Sequence, residues 1–256
     1  MNIKFYKYHG TGNDFIIIDD RNKFFDHTNF KLIASLCKRS TGVGADGLIL
    51  LRSHDKFDFE MLYFNSNGYE STLCGNGARC IVSLANKLGI IQFNTVFQAI
   101  DGAHNAKITN NIVSIQMNDV FSIEKNNNMC VLNTGSPHCV KLVDDIDNFD
   151  VFNNGRQLRN STEFVGDGIN VNFAQIKSNV LHVRTYERGV EAETLSCGTG
   201  VVASAISVHR LSLIKNNVID VETMGGNLSV SFENNNQYYQ NIWLSGPAIF
   251  VYSGII

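Results

Sequence analysis

The feature that most constrains this chain is an internal repeat at a constant offset of 123 residues. Thr11-Gly12 recurs as Thr134-Gly135, Tyr63 as Tyr186, and Cys74-Gly75-Asn76-Gly77 as Cys197-Gly198-Thr199-Gly200. One such match is weak, but several in register and in the same order define two similarly folded halves. We therefore read residues 1–120 as an N-terminal half and 121–247 as a C-terminal half, with a strand near 248–256 returning to the first. The polar run Glu124–Asn128 reads as a linker between them. At 256 residues the chain has material for a sizeable core.

Within each half, strand patterns outnumber helical ones. Phe57, Phe59, Met61 and Tyr63 alternate with more polar neighbours, as do Val113, Ile115 and Met117. Leu228, Val230 and Phe232 repeat the pattern after a Gly225-Gly226 turn. Ile81, Leu84, Ala85 and Leu88 form one apolar helical face that Gly89 ends, and Val201–Ile214 reads as a helix buried all round. The expected class is α+β, with sheets wrapped around central helices.

Composition removes several kinds of function. With 21 basic and 24 acidic residues there is no electrostatic footprint for nucleic acid or an anionic membrane. No apolar run approaches the ~18 residues of a membrane span. The N-terminal MNIKFYKYHGTGND carries no secretory pattern, so the expected location is the cytoplasm. Six cysteines in that setting read as reduced thiols and not as a disulfide framework.

Three motifs have plain readings. Gly42-Val43-Gly44-Ala45-Asp46-Gly47 fits a dinucleotide fingerprint, but it follows a helix-like Phe30–Lys38 and precedes a strand-like Leu48–Leu51. That order is the reverse of the nucleotide fold, so it reads as a tight helix-to-strand turn. The seven histidines form no HExxH and the cysteines no CxxC, so no metal site is expected. Asn160-Ser161-Thr162 reads as a polar turn, and the Asn126–128 and Asn234–236 runs as loop filler.

Cys74 and Cys197 differ from the other four cysteines, for which no role is read. Each is expected where a strand ends and a glycine-flanked helix begins, so orphan backbone N–H groups and the positive end of the helix dipole converge on it. That setting lowers a thiol pKa from about 8.5 toward roughly 3.5–7.5 and makes an anion cradle of the same N–H groups. Two such thiols, related by a repeat, suit proton removal from one face of a carbon and proton return from the other.

The segments HGTGNDFIIID (9–19), GVGADG (42–47), YFNSNGYESTLCGNGARC (63–80), TGSPHCV (134–140), GINVNFAQI (168–176), TYERG (185–189), ETLSCGTG (193–200) and MGGNLSV (224–230) resemble the diaminopimelate epimerase family, in its order and along essentially the whole chain. The resemblance implies two similar α+β halves, each a mixed barrel-like sheet around a central helix, with the active site in the cleft between them. It implies interconversion of LL- and meso-diaminopimelate, supplying lysine and peptidoglycan synthesis, without pyridoxal phosphate or metal, by a homodimer. It makes Cys74 and Cys197 the acid/base pair and His138 and Glu187 the groups that tune them. Asn13, Asn65, Asn170, Glu187 and Arg188 become substrate-binding, with Gly75-Asn76 and Gly198-Thr199 as the helix starts that hold a carboxylate. An Arg fork suits the distal carboxylate, and a Glu suits the ammonium. Gly47, Ser136 and a longer 189–193 loop depart from the family's usual pattern. Two alternatives stand beside this reading. A proline or hydroxyproline racemase is expected to carry His where Asn76 stands and Asp-x-Ser-Pro where Glu193–Ser196 stands. A non-enzymatic ligand-binding or thiol-redox protein would not need both thiols for its activity.

Overall fold

Phe15–Ile18 and Leu48–Leu51 are apolar without alternation, a pattern of strands covered on both faces. In the computed structural model, which describes residues 2–126, 128–166, 168–235 and 238–256, both runs lie in strands and are fully buried. The described residues form seventeen strands and four helices. They divide into two compact units, one running to Ile115 and resuming over Gly246–Ile256, the other Gln116–Ser245.

In chain order the first unit holds β1 (Lys4–Gly10), β2 (Asn13–Asp19), α1 (Phe30–Cys37), β3 (Gly47–Arg52), β4 (Phe59–Asn65), α2 (Gly75–Lys87), β5 (Asn94–Ala99), β6 (Gly102–Thr109) and β7 (Ile112–Gln116). The second holds β8 (Ile123–Asn126), β9 (Met129–Asn133), β10 (Pro137–Leu142), α3 (Val151–Arg159), β11 (Asn170–Lys177), β12 (Val180–Glu187), β13 (Ala192–Thr194), α4 (Gly198–Arg210), β14 (Val218–Thr223), β15 (Gly226–Asn234) and β16 (Tyr239–Pro247). The chain leaves the first unit at the end of β7, returns to it at the end of β16, and adds β17 (Ile249–Ile255) antiparallel to β1.

Each unit repeats one pairing scheme. β1–β2 is antiparallel, β2–β3 parallel, β3–β4 antiparallel, β4–β5 parallel, and β5–β6 and β6–β7 antiparallel. The corresponding pairs β9–β10, β10–β11, β11–β12, β12–β14, β14–β15 and β15–β16 follow the same alternation. β8 pairs with β9 as β17 pairs with β1. The mixed sheet of each unit wraps a central helix. α2 lies against β1–β4 and β6, and α4 against β9–β12, β14 and β15. The outer face carries the shorter helix. Ile33 and Cys37 of α1 cluster with Ile16, Ile18, Leu48 and Leu50, and Val151 of α3 clusters with Cys139, Val171 and Phe173. Two-sided cover is why these strands are apolar throughout.

Local expectations hold with some corrections. The glycine-rich 42–47 segment is the turn from α1 into β3; a Cβ on Gly42 would lie 2.1 Å from the Ser35 carbonyl oxygen, so the chain closes there only with glycine. α2 ends before Gly89, whose φ of +71° suits glycine. α4 is buried from Val201 to Val208 but stops at Arg210, four residues short of Ile214, because Ser212 turns to φ +61° and the Leu213 N–H donates back to Val208. The polar run from Glu124 is no free linker: its first three residues finish β8, which returns as β9, while Asn127 lies outside the described residues. Asn234 ends β15, paired with Tyr239, and Asn236 is likewise outside the described residues. β4 begins at Phe59, and β7 stops one residue before Met117. Asn160 caps α3 in a polar turn, donating to the Arg156 carbonyl at 2.8 Å. No helix among the described residues is long and apolar enough to cross a membrane.

Candidate active site

Both repeated cysteines are helix N-caps with extended backbone, Cys74 before α2 and Cys197 before α4, and in neither does the side chain cap the helix. The two helices are thirteen residues each, with both ends displaced by the repeat offset. Cys197 follows a strand after two residues, with β13 ending at Thr194. Cys74 instead stands after a loop that leaves β4 at Asn65 and is tied back by a bridge between Phe64 and Glu70. The other four cysteines are buried, and burial pushes each thiol pKa up, most of all at Cys80. All six are free thiols.

In the first unit the β1–β2 hairpin turns through Thr11 (φ +49°) and Gly12 (φ +84°) against the start of α2. A β-branched residue in that region stores about 1–3 kcal/mol of strain. The arrangement is held by Arg79, a wholly buried guanidinium whose Nη2 donates to Thr11 Oγ1 (3.1 Å) and Asn76 Oδ1 (3.0 Å). Asn76 Nδ2 donates to Asn13 Oδ1 (3.3 Å), and Asn13 Nδ2 donates to Asp46 Oδ2 (2.8 Å). The Cys74 thiol lies 3.5 Å from the same Asn13 oxygen and donates to it. Asn65 ends β4 opposite Gly47. A Cβ at Gly47 would lie 2.6 Å from Tyr63 Cε2 and from the Phe64 carbonyl oxygen, so that departure from the family pattern is fixed by Tyr63.

In the second unit His138 on β10 pairs with Asn170 on β11 and is fully buried. Its Nδ1 faces Asn172 Nδ2 at 3.0 Å, and its Nε2 faces Thr199 Oγ1 at 2.9 Å. Burial, with Arg188 nearby, pushes the imidazole pKa down to about 3, so it is neutral at physiological pH. The Thr199 hydroxyl links it to Cys197 Sγ, 3.5 Å from that oxygen. Thr134 Oγ1 donates to the Thr199 carbonyl (2.8 Å), so each copy of the repeated Thr-Gly docks on its own helix start. Asn170 is occupied at both ends of its amide, donating to Ser136 Oγ (2.9 Å) and accepting from the Arg188 N–H (2.9 Å). Glu187 ends β12 and accepts from Thr194 Oγ1 (2.9 Å). Ser136 also lies 3.5 Å from Arg188 Nη2. In the 189–193 loop Gly189 and Glu191 take positive φ, and Glu191 faces Arg159 at 3.6 Å.

Asn13, Asn76 and Cys74 thus form one cluster, and His138, Thr199 and Cys197 another. Asn170, Ser136 and Arg188 adjoin the second through the β10–β11 pair. Sequence reasoning missed Arg79, Asp46, Asn172 and Thr185, which anchor these side chains from behind. For Asn172 a signal existed, because it shares a strand face with Asn170 two residues away. Among the described residues there is no cluster of three or more His, Cys, Asp or Glu side chains that could hold a metal.

Two wrapped α+β units, each built around a central helix, define a fold class shared with proteins of known structure. A phenazine biosynthesis protein of the PhzF family from Bacillus anthracis aligns with TM-score 0.75 at 15% identity, covering 100% of this chain and 99% of that one. A probable proline racemase from Agrobacterium radiobacter aligns with TM-score 0.70 at 14% identity, over 99% and 92% of the two chains. At such identities the likeness is one of fold. The sequence separates the chain from these neighbours. The sequence model for diaminopimelate epimerase matches residues 5–120 and 130–251. A diaminopimelate epimerase from Flavobacterium psychrophilum is 49% identical over 256 residues, 99% of this chain and 100% of the relative. One from Chlorobaculum tepidum is 39% identical over 258 aligned positions, 96% and 98% of the two chains. The chain belongs to the diaminopimelate epimerase family.

Proposed function

We propose that this protein interconverts LL- and meso-diaminopimelate by removing a proton from one α-carbon and returning one to its opposite face, with Cys74 and Cys197 as the acid/base pair. The observation that carries the reading is the placement of both cysteines as N-caps of helices related by the repeat offset at both ends. Each thiol has backbone N–H groups and a helix dipole beside it, the setting that favours a thiolate and receives a carboxylate. On this reading Gly75-Asn76 and Gly198-Thr199 hold the carboxylate of the reacting centre, Glu187 takes an ammonium and Arg188 a distal carboxylate. Asn13 and Asn65 complete the contacts from the first unit. Asn170, which also holds the Arg188 backbone and Ser136, contributes from the second unit. His138 tunes Cys197 through Thr199.

The reading places the protein in the cytoplasm as a homodimer serving lysine and peptidoglycan synthesis, and requires no nucleic acid, cofactor or metal. It is tested by incubating the reduced protein with LL-diaminopimelate in deuterium oxide, with a chelator present, and following the α-protons by NMR. The expected result is α-deuterium in both stereoisomers and formation of the meso form. No exchange and no meso product would overturn the reading.

A further inference from the structure

The two thiols end hydrogen-bond chains of opposite direction. In the first unit the chain starts at a cation and finishes at an anion. Arg79 has only donors, so Asn76 must turn its oxygen toward it and its NH2 toward Asn13. Asp46 has only acceptors, so Asn13 must turn its NH2 toward Asp46 and its oxygen away. The two charges thereby fix both amides without ambiguity, and the group left facing Cys74 is a carbonyl oxygen. An acceptor at 3.5 Å stabilises S–H and repels S⁻.

In the second unit the direction reverses. Asn172 NH2 also donates to the Cys139 carbonyl (3.3 Å), and its oxygen accepts from Thr185 Oγ1 (2.9 Å), which fixes that amide. His138 Nδ1 is therefore the acceptor, and its proton sits on Nε2 and goes to Thr199 Oγ1. The Thr199 hydroxyl, accepting from His138, keeps its own proton available to turn toward Cys197 Sγ, 3.5 Å away. A donor at that position stabilises S⁻.

We infer that the resting protein holds its shared proton on Cys74 and keeps Cys197 as the thiolate, with Arg79, Asp46 and Asn172 as positioning residues that set this order. The inference rests on the acid/base reading of the two thiols. In the first turnover Cys197 S⁻ takes the α-proton as the C–H bond breaks, and Cys74 S–H delivers its proton as the new C–H bond forms. The pair ends with roles exchanged and no net proton gained or lost.

Charged side chains belong to both units, and the resemblance adds Glu187, at the end of β12, to the groups that tune the thiols. Arg79 faces Cys74 and Cys80, while Arg188 faces His138. Asp46, at the far end of the first chain, is itself paired with Arg39 and adjoins Asp14, which Lys7 pairs. Burial opposes the inferred order, since Cys197 is the less exposed thiol and desolvation raises a thiol pKa. The experiment therefore discriminates between hydrogen-bond direction and burial.

Cys197 is titrated in Cys74→Ser, and Cys74 in Cys197→Ser, which removes their mutual coupling. The readout is the pH midpoint of iodoacetamide alkylation resolved by peptide mass spectrometry. Cys197 should titrate at least one unit below Cys74, about a tenfold difference in thiolate fraction near neutral pH. Thr199→Val in the Cys74→Ser background should raise the Cys197 midpoint by about one unit, and Thr199→Ser should leave it near the parent value. Asp46→Ala, which frees Asn13 to rotate, should lower the Cys74 midpoint. Equal or reversed midpoints overturn the inference, as does a Cys197 midpoint that Thr199→Val leaves unmoved or a Cys74 midpoint that Asp46→Ala leaves unmoved. Deuterium exchange in the unaltered protein keeps this separate from the epimerase reading: exchange with the midpoints reversed removes only the inferred order.

Discussion

The two last glycines of the repeated Cys-Gly-x-Gly, Gly77 and Gly200, occupy equivalent helix positions but face different surroundings. A Cβ at Gly200 would lie 2.2 Å from Asn172 Oδ1, 3.2 Å from its Cγ and 3.4 Å from Cys197 Cβ. Asn172 is fully buried and held by Thr185, His138 and the Cys139 carbonyl. To reach ordinary contact its oxygen must retreat by about 1 Å, which breaks the Thr185 bond and drags the amide off His138. Overpacking costs about 1–3 kcal/mol and the lost hydrogen bond about 1 more, while alanine returns about 1 through helix propensity. Gly200→Ala should therefore destabilise by about 1–3 kcal/mol. At Gly77 the added carbon would meet Ile49 Cδ1 at 3.0 Å and Met61 Cε at 3.3 Å, both flexible side-chain ends. A retreat of a few tenths of an ångström suffices there, and Gly77→Ala should stay within about 1 kcal/mol of the parent. Trp243, the single tryptophan, lies in β16 of the second unit, so its fluorescence reports the unit that contains Gly200. With a urea m-value of about 2 kcal/mol/M, Gly200→Ala should lower the fluorescence midpoint by roughly 0.5–1.5 M. Gly77→Ala, followed by far-UV circular dichroism, should move it little. A Gly200→Ala midpoint within 0.25 M or so of the parent, or equal losses from both substitutions, would refute the reasoning.

Other outcomes follow from the same structure. Cys74→Ser and Cys197→Ser should each cut epimerisation by at least about a thousandfold while leaving the circular dichroism spectrum unchanged, since either acid/base step then lacks its thiol; near-normal turnover in either variant would count against the thiol pair. His138 is held neutral down to about pH 3, whereas an unfolded histidine takes a proton near pH 6.5. Its sign is therefore a loss of stability as pH falls below 6.5 and through the window toward 3, by up to about 1.4 kcal/mol per pH unit. Urea midpoints measured from pH 7 to 4.5 should fall less steeply in His138→Gln, and parallel slopes would show that His138 is not the titrating group. Arg79→Met leaves the Asn76 oxygen and the Thr11 hydroxyl without their donor, so it should lower kcat at least tenfold; Arg79→Lys, which keeps a donor, should recover part of it. Equal losses in the two variants would argue that only packing is at stake.

What the sequence disclosed and what it hid divide along a physical line. The alternation in β4, the unbroken apolar runs of β2 and β3, and the glycines closing α1 into β3 all follow local rules, and each reads directly from the chain. So does the repeated helix start, because few residue patterns place a cysteine just before a glycine-flanked helix. α3 was silent: its residues Phe152–Arg156 are largely polar, and only the approach of Gly155 to Tyr186, where a Cβ would lie 2.4 Å away, shows why it packs as it does. Arg79 was equally hidden. A lone arginine in a second helical turn reads as a solvent-facing cation, and its burial depends on Thr11 and Pro247, far from it in sequence. Asp46 and Asn172 likewise look like turn and strand polar residues until the sheet places them behind Asn13 and His138. Partners of that kind are set by tertiary contact, which no local period encodes.

The way the two units diverge carries a further lesson. The parallel pair behind each thiol keeps its register across the repeat, Phe15 opposite Gly47 in one unit and His138 opposite Asn170 in the other. Elsewhere it drifts, as where Gly47 meets Asn65 in β3–β4 while Val171 meets Tyr186 in β11–β12. Backbone geometry is thus held where a strand pair, a Thr-Gly turn and a helix start must converge on one sulfur, and relaxed where only the barrel wall is at issue. The side chains behave in the opposite manner. At repeat-equivalent positions Arg79 faces Val202, Asn76 faces Thr199 and Phe15 faces His138 only in the sense of the alignment, and none of these pairs is chemically alike. A reaction that needs one acid and one base gains nothing from two identical thiols competing for one proton. Duplicated backbone with unlike polar chains meets that need: the cradle repeats, and the proton's place is decided by whether an amide oxygen or a hydroxyl proton faces the sulfur.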